Sequence, residues 1–241
     1  QTALPLPALI ASESDAEKLL ELASGNSDVR VVLDGTSRDG TAHNILGWLD
    51  RGLDRWIIVS TPVSGWFEVS NERGPGIALW LELARWAADE NIEANFLFAG
   101  LSGHELGKMG MDALVDSARL PPPPAVCLWL HLGSGIAVQT PLLAAVSSAT
   151  ALEEATRSAL VGPTGMSYWP EQKMPKGSEQ YVAMQLGYPV VGLFGADPAI
   201  HTRLDQAPRI DQAEYRRVFT ALLQLIRHQL VSPDCNQGAN R

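Results

Sequence analysis

Short apolar runs alternate along the chain with segments whose apolar residues recur at helical spacing. The apolar runs predict strands at Val29–Leu33, Ala42–Leu49, Trp56–Ser60, Ala94–Ala99, Ala125–Leu132, Ile136–Gln139 and Val190–Phe194. The helical spacing predicts helices at Ser12–Ser24, Ile77–Ala88, Asp112–Ala118, Ala151–Leu160, Glu179–Leu186 and from Asp211 to about Leu230. Strands that alternate with helices favour an α/β fold built around a mainly parallel sheet.

Composition and charge narrow the class of protein. The 241 residues are 46% hydrophobic and 19% charged, which is typical of a folded domain with a large core. The net charge of −9 repels phosphate backbones, so we expect no nucleic-acid partner. No apolar run approaches the roughly 18 residues that span a membrane, so we expect no membrane span. The two cysteines, Cys127 and Cys235, are too few for a disulfide framework, and a bridge between them stays open.

Imidazole and carboxylate side chains gather where predicted strands end. Of the five histidines, His104 and His201 follow predicted strands and His131 closes one. Glu72 and Glu105 fall at similar positions. Because sites in open α/β sheets form where strands meet loops, these side chains could assemble there. Histidine and carboxylate together are ligands for zinc and other divalent metals, although this spacing alone is a weak signal.

Three segments carry a resemblance to a known family. They are Glu72-Arg73-Gly74-Pro75-Gly76 before a helix with Leu81-Glu82-Leu83-Ala84-Arg85, then Gly103-His104-Glu105-Leu106-Gly107, then Gly187-Tyr188-Pro189 with His201-Thr202 and Asp205. Together they resemble the zinc aminopeptidase family, which also contains the glutaminyl cyclases. The resemblance covers the chain from about Asn44 to the final helix. It implies a three-layer α/β/α sandwich on a mixed, mostly parallel sheet, and a metal-dependent hydrolase.

The resemblance also implies a domain layout and a cellular location. Residues 1–28 are similar to the end of the protease-associated insert found upstream in many family members, 29–232 would form the aminopeptidase-like domain, and 233–241 a flexible tail. Because the chain begins with Gln1 rather than Met, we expect it to be a processed or truncated piece, so an upstream domain or subunit stays open as a partner. The family favours a secreted or periplasmic location.

The site differs from the family pattern at several positions. Thr61-Pro62-Val63 stands where the family has its His-x-Asp motif, so one metal-binding histidine is absent. Glu72 stands at the bridging aspartate, His104 at the catalytic base and His131 at a later aspartate ligand. Glu105 and His201 match kept ligands. The resemblance therefore implies one divalent metal, with zinc as a candidate, instead of a two-zinc centre. Glu105 and His201 would hold this metal together with His131 or Glu72.

The predicted chemistry follows from these positions. His104 and Glu105 are the predicted catalytic residues, with His104 moving a proton, since imidazole exchanges protons near neutral pH. Trp66, Tyr168 and Trp169 lie in loops and are predicted to wall the pocket. The expected partner is a small-molecule or peptide substrate with an amide or related bond.

Two alternatives remain open. Each predicted site residue also has a structural interpretation, such as a turn cap for His201 or a pairing of Glu72 with Arg73. The chain could therefore be a non-catalytic relative with no metal, which uses its cleft for binding or assembly. Gly100-Leu101-Ser102-Gly103-His104 also approaches a nucleophile elbow, with Asp197 and His201 downstream, which leaves a serine hydrolase as a weaker alternative.

Overall fold

The computed structural model describes residues 15–25, 28, 30, 32, 34–36, 38–138, 142–233 and 235. The chain divides into two compact units, residues 1–41 and 42–241. In the first, helix α1 spans Ala16–Ser24. This confirms a helix there, although its predicted start at Ser12 lies outside the described residues. The predicted strand Val29–Leu33 also lies largely outside them.

The second unit is built on one sheet of seven strands. They are β1 (Ile45–Leu49), β2 (Trp56–Pro62), β3 (Asn95–Leu101), β4 (Val126–Leu132), β5 (Leu142–Ser147), β6 (Ser167–Trp169) and β7 (Val190–Ala196). Their order across the sheet is β1-β3-β2-β4-β7-β5-β6. The pairs β3–β2, β2–β4, β4–β7 and β5–β6 are parallel, whereas β1–β3 and β5–β7 are antiparallel. The predicted mixed, mostly parallel sheet is therefore confirmed.

Helices cover both faces of this sheet. They are α2 (Gly74–Asp89), α3 (Met109–Asp116), α4 (Thr150–Thr156), α5 (Gly162–Thr164), α6 (Glu179–Gln185) and α7 (Gln212–Leu230). Along β2, Ile57 and Val59 belong to one buried cluster with residues of α2 and α7, while Ile58 belongs to a second cluster with residues of α3 and α6. This alternation follows from the two-residue period of a strand, and it gives the three layers expected of the α/β/α sandwich.

Helix α2 is packed closely onto the strand ends. Trp80 donates its indole N–H to the carbonyl of Val59 at 3.1 Å. A Cβ placed on Gly76 would lie 3.2 Å from the carbonyl oxygen of Gly133, so only glycine fits this approach without a shift of the backbone. The amide of Gly135 also donates to the carbonyl of Glu72 at 3.1 Å. The start of α2, and Glu72 just before it, are therefore fixed against the end of β4.

Two sequence predictions about strands are wrong. The predicted strand Ile136–Gln139 is a turn at Ile136 and Ala137, followed by a single bridge between Val138 and Ile210, while Gln139 lies outside the described residues. Strand β5 was not predicted, and β6 lies inside a segment predicted to be a loop. Both missed strands lie beyond β7 in the sheet, and the centre of β5 is two consecutive alanines, which are poor strand formers.

A disulfide joins Cys127 on β4 to Cys235 beyond α7, across a sequence separation of 108. Both cysteines belong to the buried hydrophobic cluster that also contains residues of α2 and α7. Among the helices of the described residues, none is long and apolar enough to cross a membrane.

We expect reduction of this disulfide to lower the free energy of unfolding by about 2–5 kcal/mol, because the cross-link closes a long loop in the unfolded chain. Chemical denaturation with and without reductant measures the effect. The double variant Cys127→Ala/Cys235→Ala is the control and should not respond to reductant. An unchanged unfolding midpoint of the wild-type protein in reductant would contradict the prediction.

Candidate metal and proton-transfer site

A cavity of about 280 Å³ opens at the carboxyl ends of the parallel strands. The loops that follow β2, β3, β4 and β7 all reach it, which is the usual place for a site in an open α/β sheet. Its charged and titratable lining consists of Glu72, Arg73, His104, His131, Glu179 and His201. The sequence had predicted Glu72, His104, His131 and His201 here, whereas Glu179 was missed and Arg73 was considered only as a partner of Glu72.

Three predicted ligands form a compact group. One ligand atom from each of Glu72, Glu105 and His201 lies within 4.8 Å of the other two. Glu72 is 2% exposed and its Oε2 has no hydrogen-bond partner in the described part of the chain. The Nε2 atom of His201 lies 3.1 Å from Oε1 of Glu72. Two carboxylates and one imidazole suit zinc, so the donor chemistry and the open oxygen of Glu72 both fit a divalent metal.

Asp205 fastens Glu72 to the loop that carries His201. Its carboxylate accepts the backbone N–H of Asn71 at 2.5 Å and that of Glu72 at 3.2 Å. The side-chain amide of Asn71 also donates to the carbonyl of Gln206 at 2.9 Å. Since Asp205 lies four residues after His201, these bonds bring two distant segments of the chain together. The group is thus positioned by backbone contacts as well as by its own side chains.

A buried arginine lies beside the same group. The Nη2 atom of Arg73 lies 2.9 Å from Oε1 of Glu72 and 2.8 Å from Oε1 of Glu105. Its Nε donates to the carbonyl of Ser64 at 3.0 Å, and the side chain is 2% exposed. Burial would raise the pKa of Glu105, but the hydrogen bond and charge of Arg73 outweigh it, so this pKa lies below its usual value.

A second cluster of titratable side chains lines the same cavity. Glu179, the first residue of α6, is 1% exposed, and its Oε1 lies 2.7 Å from Nδ1 of His104. Its Oε2 lies 3.8 Å from Nε2 of His131. Burial would raise the pKa of Glu179, but the hydrogen bond with His104 and the electrostatic interaction with both imidazoles hold it below its usual value. Glu179 is therefore an ionised carboxylate between two imidazoles.

The environment of His131 identifies its neutral form. Burial lowers the pKa of His131 to about 4, against the opposing charge of Glu179. Nδ1 of His131 lies 2.9 Å from the Ser60 hydroxyl, which also accepts the indole N–H of Trp129 at 2.8 Å. If the hydroxyl hydrogen goes to Nδ1, the ring proton is on Nε2, facing Glu179. We assign this tautomer, because Nδ1 then accepts the hydroxyl hydrogen of Ser60 and the N–H of Nε2 faces the carboxylate of Glu179.

The predicted pocket aromatics do not line this cavity. Trp66 is 49% exposed. The hydroxyl of Tyr168 lies 2.9 Å from the Ser147 hydroxyl, and Trp169 packs edge-on against Phe194 with ring centroids 4.9 Å apart. Because Phe194 does line the cavity, Trp169 supports the wall from behind.

The residues of the serine-hydrolase alternative have other partners. The hydroxyl of Ser102 donates to the Asn44 side chain at 3.2 Å. Asp197 pairs with Arg209 at 3.1 Å and accepts the amide of Ala199. His201 contacts Glu72. The structure therefore shows no hydrogen bond linking Ser102, Asp197 and His201 in the described residues.

Several solved structures of similar architecture are aminopeptidases. BSAP, a zinc aminopeptidase from Bacillus subtilis, aligns with a TM-score of 0.66 at 15% identity, covering 80% of this chain and 52% of BSAP. The fold is that of the zinc aminopeptidases. The aminopeptidase from Aneurinibacillus sp. strain AM-1 gives a TM-score of 0.66 at 19% identity, covering 78% of this chain and 48% of its own. This chain thus spans about half the length of either protein.

A third aminopeptidase-fold structure is nearer in size. A leucine aminopeptidase precursor from Bacteroides thetaiotaomicron gives a TM-score of 0.64 at 13% identity, covering 77% of this chain and 76% of its own. The sequence matches no protein-family model and no curated protein. At these identities the shared zinc aminopeptidase fold is the whole of the likeness, and the site must be judged on its own geometry.

The lowered pKa of His131 gives a pH prediction. Between pH 6.5 and 4 the unfolded state binds a proton at His131 that the folded state excludes, so stability falls as the pH is lowered. From pH 7 to pH 5 this contributes a loss of about 2 kcal/mol. Denaturant unfolding at both pH values should show a smaller loss for His131→Gln, which carries no titrating ring. Equal losses in the two proteins would contradict the assignment.

Proposed function

We propose that this protein is a metal-dependent hydrolase with one divalent metal, zinc by preference, at Glu72, Glu105 and His201. The observation that carries the proposal is the approach of three donor atoms to within 4.8 Å at the carboxyl ends of the sheet strands. The buried Oε2 of Glu72 supports it, because this oxygen has no hydrogen-bond partner among the described residues, while Arg73 contacts the other oxygen of the same carboxylate. His131, the remaining predicted ligand, contacts Ser60 and Glu179 instead.

The chain's own residues supply proton transfer beside that group. A divalent metal, when bound, would polarise the carbonyl of a substrate amide. His104 is 30% exposed in the cavity and its Nδ1 is held by Glu179 at 2.7 Å. This contact orients the ring and leaves Nε2 to accept or donate a proton. Glu105 then acts as a ligand, and His104 takes the role of proton carrier.

The substrate class follows from the size of the cavity and from the structural neighbours. A space of about 280 Å³ suits a small amide or the end of a peptide better than a folded protein. The neighbours are named as aminopeptidases, so aminoacyl amides are the first substrates to test.

The disulfide supports a secreted or periplasmic location, since such bonds persist in oxidising compartments. The grouped side chains of the proposed site all belong to the second compact unit, residues 42–241.

One observation favours a second candidate, a metal-free protein that uses the cleft for binding. Arg73 already contacts an oxygen of both Glu72 and Glu105, so the charge of the two carboxylates is partly neutralised without a metal. A protein of this kind would bind its partner in the cavity without hydrolysing it. Metal analysis separates the two candidates.

We expect the purified protein, incubated with zinc and dialysed, to retain about one equivalent of metal. The variants Glu105→Gln and His201→Ala should bind zinc at least about tenfold more weakly, because each removes a ligand. His228→Ala, an exposed histidine on α7, is the matched control and should bind as the wild type does. Absence of bound metal in the wild type at millimolar zinc would favour the binding protein instead.

We expect His104→Ala to lower the rate of aminoacyl-amide hydrolysis by about 100-fold or more, because it removes the proton carrier. Zinc content should be unchanged, since His104 is not among the three grouped ligands. Steady-state kinetics with a panel of aminoacyl nitroanilides measures the loss. His43→Ala, an exposed histidine just before β1, serves as the control. A variant that retains wild-type rates would remove His104 from the mechanism.

A further inference from the structure

Arg73 places a fixed positive charge against the two carboxylates that would bind a metal. Its Nη2 contacts Oε1 of Glu72 and Oε1 of Glu105 at 2.9 and 2.8 Å, and its Nε is held by the carbonyl of Ser64. The guanidinium is 2% exposed, so water screens it poorly. Three contacts on a buried side chain make this a fixed part of the site, unlike a surface ion pair that forms and breaks freely.

A guanidinium and a divalent ion compete in such a place. Both are attracted by the carboxylates of Glu72 and Glu105, and they repel each other strongly at a separation of a few ångströms in a poorly hydrated site. A metal that binds must either draw the carboxylates away from Arg73 or accept a positive neighbour. Either change costs free energy, and the binding free energy of the metal becomes less favourable by that amount. The cost in free energy is similar for every divalent ion. Ions that would bind only weakly without Arg73 are therefore excluded from the site.

We propose that Arg73 is the resident cation of this site and determines which metals it accepts. In the metal-free protein Arg73 neutralises Glu72 and Glu105 and holds them together. It also weakens the binding of every divalent ion. Ions with a high affinity for imidazole and carboxylate, such as zinc, still bind, whereas magnesium and calcium do not. The inference rests on the proposed function only in the position of the metal, at Glu72, Glu105 and His201.

The test compares zinc binding and thermal stability in variants of Arg73. Arg73→Met and Arg73→Gln remove the charge, and we expect them to bind zinc about 10- to 100-fold more tightly than the wild type. Without metal both should unfold at a lower temperature, because two buried carboxylates lose their counter-charge. Added zinc should raise their melting temperature more than it raises that of the wild type. Arg73→Lys keeps the charge and should bind zinc within about threefold of the wild type.

A matched control comes from the opposite end of the strands. Arg51 donates to the backbone carbonyls of Ala87, Ala94 and Glu90, next to the start of β3. Arg51→Met should lower the melting temperature without changing the affinity for zinc. It therefore separates a general loss of stability from the specific gain of affinity expected at Arg73. Arg73→Gln keeps an amide donor for one carboxylate, so it preserves the test if Arg73→Met fails to fold.

The outcomes distinguish this inference from the proposed function. If the wild type does not bind zinc but Arg73→Met or Arg73→Gln does, the proposed function fails and the role of Arg73 is supported. If the wild type binds zinc and folded Arg73 variants bind it no more tightly, the proposed function stands and the role of Arg73 is overturned. If none of the proteins binds zinc, both are overturned. Isothermal titration with zinc, magnesium and calcium gives the affinities.

Discussion

The need to neutralise buried carboxylates governs the carboxyl end of this sheet. Glu72 and Glu179 are almost completely buried, and the side chain of Glu105 is 8% exposed. An unpaired charge in such a place costs several kcal/mol, so each carboxylate must have a cationic or hydrogen-bonding partner. Arg73 forms ion pairs with Glu72 and Glu105, and the imidazole of His104 contacts the carboxylate of Glu179. The loops that follow β2 and β3 and the start of α6 are therefore fixed relative to one another by charge as well as by packing.

The fold and the site depend on different features of the sequence. The fold follows from alternating apolar positions, such as Ile57, Ile58 and Val59, that fill the two faces of the sheet. Many sequences supply that pattern, and structures at 15–19% identity still align with a TM-score of 0.66. The site depends instead on the identity of a few polar residues, and a single change of charge there changes the chemistry.

The same distinction decides what could be predicted from the sequence. The central strands were predicted well because they are continuous apolar runs, whereas β5, which lies between β7 and the edge strand β6, was missed because its two alanines give little strand signal. Glu72, Glu105 and His201 were found through their motifs. Glu179 was missed because its partner His104 is 75 residues away, and no local pattern links a helix-starting glutamate to a distant histidine. The bridging of two glutamates by Arg73 was likewise invisible before the loops were placed in space.

The histidines at 104 and 131 are best understood through Glu179. By the sequence resemblance, both stand where the family has carboxylates. Two further carboxylates beside Glu179 would repel it, and at least one would have to be protonated. With imidazoles in those places Glu179 stays ionised, held by His104 at 2.7 Å and faced by the neutral ring of His131. His104 and Glu179 thus stabilise each other through their contact at 2.7 Å, whereas His131 contacts the Ser60 hydroxyl and faces the carboxylate at 3.8 Å.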